Sequence, residues 1–307
     1  MILREERSGG RHRPPPPQVV VYGTVCLDRF HFEEGPDEQP LLDLPGGEAF
    51  NTATALAGWG VDVALVGTAI GGDSEGDALR RLLDTHPLGL SRRYIPDDPA
   101  AVTPVCTVRV ARDGDRAMSG RGFREAVAPS RATLAPLLAH RPVATLDPNL
   151  GEAAVGAALA AAEAHCPVVA MDFGDEPAVV RACRVLVTSR EWLRGDETPE
   201  QAVRRLAAWG APTAIVTAGN AGGVVWDRDA GLFAYDAVDP GVPIRDTTGA
   251  GDTFRAGLCY GLLQDWELGP TLRFAAAAAA LHCGQIGGGS RVAQSDAATL
   301  AGLLPGP

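Results

Sequence analysis

From Val143 onward the chain repeats one pattern, a short apolar run followed by a helical stretch, and this limits the fold more than any other feature. Val143–Leu146 precedes an alanine-rich helical stretch at 152–164. Val168–Met171 and residues 185–187 come next, then a periodic helix at 200–209, then runs at 214–217 and 223–226. Runs this short, apolar without alternation, belong to strands covered on both faces. The helices between them supply the covers. The pattern predicts a mostly parallel sheet inside an α/β domain. Residues 19–22 form a β-branched run that ends at Gly23 and reads as a buried first strand. Residues 61–66 form another, after a helical stretch that begins at Asn51. Glycine-rich 67–76 then leads into a helix through Leu83. No internal repeat is present.

Two segments break the pattern. Residues 29–44 are acidic and polar around single apolar residues, with Gly35-Pro36 as a turn. They are too polar for a core strand and read as a small exposed hairpin. Residues 102–110 alternate as a strand before a hairpin turn at Asp113-Gly114-Asp115. Together the two segments predict a second, smaller sheet. The remaining length places residues 18–307 in one folded unit. Residues 1–17 carry arginines and a four-proline run without an apolar signal core, so a disordered arm is expected there.

Composition excludes several functions. The net charge of −11 argues against general nucleic-acid binding, which needs a basic face. The alanine run at 275–281 is too short to cross a membrane and suits a close-packed helix. The six cysteines contain no CxxC pair and read as buried free thiols of a cytoplasmic protein. The six histidines show no metal-binding spacing. All 27 cationic residues are arginine. A Walker A loop, a Schiff-base lysine and a protein-kinase lysine are therefore excluded together. Phosphate chemistry in this chain has to rest on backbone amides, arginine or metal.

The strongest local signal is Asp246-Thr247-Thr248-Gly249-Ala250-Gly251-Asp252-Thr253-Phe254, followed by a periodic helix through Gln264. Small residues at 249–251 let successive N–H groups converge at a helix N-terminus, whose dipole favours anions. Such a nest holds phosphate without lysine. Asp252, in the first turn, is placed to accept a proton from an incoming hydroxyl. An N-capping aspartate after a tight glycine turn would give the same short pattern.

The longer string DTTGAGDTF closely resembles the C-terminal signature of the ribokinase family, also called the PfkB carbohydrate kinases. Four further stretches resemble that family in order: 23–28, Gly46-Gly47-Glu48-Ala49-Phe50-Asn51, 67–76 and 216–222. The resemblance implies a ribokinase-like three-layer α/β/α domain with a small β lid, formed by segments at about 29–45 and 102–120. It implies ATP-dependent phosphorylation of an alcohol group, with Mg²⁺ as cofactor. Asp252 then matches the general base, and the amides of Gly249, Ala250 and Gly251 match the anion hole. Asp28, Gly46, Gly47 and Asn51 match the acceptor-binding positions, with Asp147 at a sugar-contacting position or, equally, a strand-end turn. Thr217, Gly219, Gly222 and Thr248 match the nucleotide side. Glu191 matches the acid that holds Mg²⁺ through water, although Thr188 stands where the family's NxxE motif has Asn. Thr still offers a hydroxyl oxygen. Asp246 matches a monovalent-cation loop, which would take K⁺.

The implied partner is a small-molecule sugar or nucleoside, with no nucleic acid and no membrane, and with a homodimer through the lid. The alternatives are an adenosine-type nucleoside kinase and a non-catalytic sugar- or nucleotide-binding homologue. The acids Glu33, Glu34, Asp37, Glu38, Asp43 and Glu48 would repel a phosphorylated acceptor. Arg121 and Arg124, near the second hairpin, would attract one if they reached the pocket.

Overall fold

The computed structural model describes residues 15–32, 42–110 and 116–304. The strands are β1 (Val19–Gly23), β2 (Cys26–Phe32), β3 (Leu42–Gly46), β4 (Val63–Gly67), β5 (Val105–Val110) and β6 (Arg116–Arg121), followed by β7 (Val143–Leu146), β8 (Val168–Met171), β9 (Val185–Ser189), β10 (Thr213–Thr217), β11 (Gly223–Asp227) and β12 (Gly231–Tyr235). The helices are α1 (Glu48–Gly58), α2 (Ser74–Asp84), α3 (Arg131–Leu138), α4 (Glu152–Glu163), α5 (Pro177–Ala182), α6 (Pro199–Ala208), α7 (Ala250–Leu263), α8 (Leu268–His282) and α9 (Gln294–Leu300). The predicted turns at Gly35-Pro36 and Asp113-Gly114-Asp115 lie outside the described residues, as does most of the expected N-terminal arm.

Eight strands form the main sheet in the order β12-β11-β10-β9-β8-β7-β1-β4. Side chains of successive strand residues leave opposite faces, and β1 shows the result. Val19 and Val21 join the core beneath α1, α7, α8 and α9, while Val20 and Tyr22 join the core beneath α3, α4, α5 and α6. Three layers follow. From β4 to β10 the pairing is parallel. At the other edge β11 and β12 run antiparallel, against the uniform pattern of the sequence. The physical reason is connection length. Only residues 218–222 join β10 to β11, far fewer than the dozen or so that a parallel crossover needs.

The second sheet has the order β3-β2-β5-β6, with β2 and β5 parallel and the outer pairs antiparallel. Its strands differ from expectation at two ends. β2 starts at Cys26, three residues before the predicted hairpin. β5 starts only at Val105, because Thr103 is committed elsewhere. The Thr103 hydroxyl accepts the Gly71 N–H at 2.9 Å, and its own N–H donates to Asp73 at 2.9 Å.

The chain enters the main sheet at β1, which then neighbours both β4 and β7. The strand order reverses at this point, and ligand crevices in open α/β sheets form beyond the carboxyl ends of the strands there. The loops after β1, β7, β8, β9 and β10 all open on that side. Behind them, α7 and α8 approach closely through small residues. Gly257 faces Ala275, and Gly261 faces Thr271. A Cβ added at Gly257 would lie 2.5 Å from the Ala275 Cα.

Candidate active site

The turn into α7 is built around Gly249. Its φ of 80° is left-handed, and a side chain there would collide with the Gly288 backbone. Asp246 fixes the approach to the turn: its carboxylate accepts the Thr248 N–H at 2.8 Å and the Gly287 N–H at 2.9 Å. The first-turn amides of α7 lack intrahelical partners, as at any helix start. The Ala250 N–H folds back on the Thr247 carbonyl at 3.2 Å.

Asp252 follows in the first turn and is 5% exposed. Its Oδ2 accepts Asn51 Nδ2 at 2.9 Å, and its Oδ1 accepts Arg255 NH2 at 3.3 Å. Burial pushes the Asp252 carboxyl above the usual range. The Arg255 guanidinium opposes that shift, and Glu48 adds to it. Asp28 reaches the same region from β2. Burial raises it to about 7, and a bond from the Cys26 thiol at 3.3 Å opposes the rise.

One cavity of about 480 Å³ collects most of the residues singled out in the sequence. Asp28, Gly47, Asn51 and Asp252 line one half. Thr217, Gly219, Thr248, Gly249, Ala250, Gly251 and Glu191 line the other. Two buried acceptors on the first half have no protein donor among the described residues: Asn51 Oδ1 and Glu48 Oε2.

Four expected site residues are not on the cavity wall, and each has a structural task. Gly46 leaves room for the Asp28 carboxyl, which occupies the space a side chain at 46 would need. Gly222 sits in the tight β10–β11 turn against the Tyr235 carbonyl. Asp246 is occupied with the two amides already described. Asp147 is wholly buried and fastens the end of β1, accepting the Thr24 N–H at 3.3 Å and the Asn149 N–H at 3.3 Å. Asn149, two residues on, is the one that reaches the cavity, and its Nδ2 donates to Glu48 Oε1 at 3.0 Å.

Glu191 lies in the short helical turn Arg190–Trp192 that follows β9. The Thr188 hydroxyl donates to Asp172 Oδ1 at 2.6 Å. Asp172 has a left-handed φ of 58°, a conformation that aspartate tolerates better than most residues. Burial and the Glu48 charge raise its carboxyl to about 7.

Sequence reasoning passed over Arg255, Asn149, Asp172, Phe123 and Met118. Arg255 carried a legible signal, since a residue at i+3 from Asp252 shares its helix face. The others come from distant segments and are gathered only by the fold.

A mostly parallel eight-stranded sheet between two layers of helices, with a second small sheet beside it, is a ribokinase-like α/β architecture. Over 94% of this chain and 99% of its own, the Arabidopsis thaliana ribokinase solved with ribose and ATP superposes with a TM-score of 0.76 at 21% identity. Residues 16–294 match the pfkB family carbohydrate kinase profile, and the chain belongs to that family. A nucleoside kinase of Methanothermobacter thermautotrophicus is 26% identical, over 85% of this chain and 87% of its own. An ATP-dependent ribose-1-phosphate kinase of Halopiger xanaduensis is 30% identical, over 79% and 81%. The protein is an ATP-dependent kinase of a sugar or nucleoside. Among the described residues no helix is long and apolar enough to cross a membrane.

Proposed function

We propose that the chain transfers the γ-phosphoryl group of ATP to a primary hydroxyl of an uncharged sugar or nucleoside, with Asp252 as general base. One observation carries this reading. The half of the cavity that holds Asp252 is lined by Asp28, Glu48 and Asn51, two of them with unpartnered buried acceptors, while the one arginine on the cavity wall among the described residues, Arg190, adjoins Glu191 on the other half. Buried acceptors call for hydroxyl donors, and an acceptor that already carried phosphate would need arginine. Neither Arg121 nor Arg124 lines the cavity, and Arg121 is held by Glu75.

Asp252 orients the hydroxyl and takes its proton as the bond to phosphorus forms, a role typically worth about 10²–10⁴-fold. The first-turn amides from Gly249 to Gly251 receive the phosphoryl oxygens, whose charge is spread in a loose transition state. Thr217 and Gly219 line the nucleotide side. Among the described residues no three His, Cys, Asp or Glu side chains converge into a metal cage. That suits Mg²⁺ held mainly by phosphate oxygens and waters, with Glu191 contributing through water. Bound there, Mg²⁺ supplies neutralisation of the triphosphate charge. K⁺ beside the Asp246 loop would rest on backbone carbonyls, since the carboxylate already serves two amides.

A nucleoside acceptor has its own support. Phe123 and Met118, from the end of the second sheet, form an apolar wall on the same cavity. A planar base would stack there over a larger area than the C–H face of a free sugar offers.

The test is ADP release from Mg-ATP across neutral sugars, nucleosides, ribose 1-phosphate and the fructose phosphates. Turnover is expected with a neutral member and should stop in excess EDTA. A kcat/KM at least tenfold higher for a sugar phosphate than for every neutral compound would refute the choice of acceptor. Adding K⁺ to the same assay tests the cation loop.

A further inference from the structure

The largest fully buried side chain among the described residues is Arg255, 0% exposed, on the helix that carries Asp252. We propose that Arg255 is a positioning residue: it holds the Asp252 carboxylate as an anion and fastens it to the helix that presents the acceptor. This inference rests on the reading of Asp252 as general base.

The geometry is specific. Arg255 Nε and NH2 donate to the Thr52 hydroxyl at 2.9 and 2.6 Å, and NH2 also donates to the Glu48 carbonyl at 2.6 Å. Both partners belong to the first turns of α1. NH2 lies 3.3 Å from Asp252 Oδ1, one helical turn back on α7. The same α1 carries Asn51, which donates to the other Asp252 oxygen. The base is thus gripped on both oxygens, once by α1 directly and once through a guanidinium anchored to α1. A shift of α1 when the acceptor binds would therefore be felt at Asp252.

The charge argument runs in parallel. Arginine does not lose its proton in proteins, so a fully buried guanidinium requires a nearby anion. The groups facing it are the carboxylates of Asp252, Glu48 and Asp147, together with the Cys259 thiol one turn further along α7. Only Asp252 among the carboxylates is in direct contact with it. Burial and the neighbouring acids push the Asp252 proton on, while Arg255 pulls it off. Without the guanidinium, burial and the charges of Glu48 and Asp147 would act on Asp252 unopposed and raise its carboxyl further. Lysine would keep the charge but lose the fork that engages the Thr52 hydroxyl and the Glu48 carbonyl together.

The experiment is the pH dependence of kcat in the full-length enzyme and in three variants. In the unaltered enzyme the acid limb reports Asp252 with Arg255 in place and is the reference for the variants. Arg255→Met should move the limb up by at least one unit and cut kcat at pH 7 at least tenfold, with most of the loss recovered at high pH. Arg255→Gln should do the same and decides the matter if Arg255→Met is not recovered folded. Arg255→Lys should restore the limb to within about half a unit while kcat stays reduced. A uniform loss at every pH in the Met and Gln variants, with the limb unmoved, would show a purely structural arginine. Asp252→Asn run alongside separates the two ideas: if it keeps most of its kcat, the general-base reading fails and not merely the role of Arg255.

Discussion

The two halves of the cavity are built from different materials. The half proposed for the acceptor is made of side chains, namely Asp28, Glu48, Asn51 and Asp252, drawn from β2, α1 and α7. The half proposed for the nucleotide exposes backbone at glycine or alanine 219 and 249–251, beside Thr217, Arg190 and Glu191. In a chain without lysine, backbone amides can receive phosphate beside arginine and metal, and fixed amides at a helix start need no side chain to reorganise. Side chains confer selectivity and can be exchanged one at a time. Backbone donors depend on the shape of the whole turn. Substitutions in the two halves should therefore fail in different ways.

The largest effect is expected at Asp252. Asp252→Asn keeps an oxygen able to accept from Asn51, so folding and the acceptor KM should change little while kcat falls by roughly 10²-fold or more. Steady-state kinetics beside a thermal melt will show it, and a large rise in KM with kcat intact would place Asp252 in binding instead. Next comes Gly249→Ala. A left-handed alanine costs on the order of 1 kcal/mol, with a clash on Gly288 in addition. This backbone-half change should lower Tm by several degrees and reduce kcat about tenfold or more, so that stability and rate fall together. Loss of rate at unchanged Tm would erase the contrast between the halves.

Asp172, close to both halves, should give a smaller and pH-dependent effect. Its folded value of about 7 lies above the ordinary aspartate value of about 3.9. The folded state therefore binds the proton more tightly. The resulting stabilisation is complete below about pH 4 and disappears as pH rises through about 7. Asp172→Asn keeps the left-handed conformation and removes the titration. Its Tm should exceed that of the unaltered enzyme by a few degrees at pH 8 and match it near pH 4. Equal Tm differences at both pH values would count against a buried, protonated Asp172. Smallest of all is Arg121→Ala. An exposed pair with Glu75 contributes little, and kcat/KM for the preferred neutral acceptor should change less than twofold.

The sequence was most legible where physical demands are local. Consecutive β-branched residues have to be covered, so β1, β7, β8 and β9 could be read directly. The turn into α7 was equally plain, because a left-handed residue beside a close backbone contact requires glycine. Long-range demands were invisible. The antiparallel edge follows from how few residues join β10 to β11, while the runs themselves look like those of the parallel strands. Asp147 and Asn149 are two residues apart in one motif, yet the fold buries the first under β1 and turns the second into the cavity. No pattern within the motif decides between them. Arg255 could be placed on the helix face of Asp252, but its partners on α1 could not be read from the sequence. Only the packing of α1 against α7 makes it the centre of a hydrogen-bond cluster.

The small-residue contact between α7 and α8 carries the reach of the site well behind its visible walls. Gly257 lies eight residues past Gly249, which is about 12 Å along a helix rising 1.5 Å per residue. No reacting atom is near it. Treated as a rigid rod, α7 bears at its tip the amides proposed to receive the phosphoryl group, and its depth is set where Gly257 meets Ala275 and Gly261 meets Thr271. A methyl group inserted at that seam would lift the rod, and the displacement would be delivered undiminished to the tip. Selection acting only on turnover would then hold positions 257 and 261 as firmly as the turn itself, and a map of activity-lowering substitutions would draw a stripe down the back of the helix as well as a ring around the cavity.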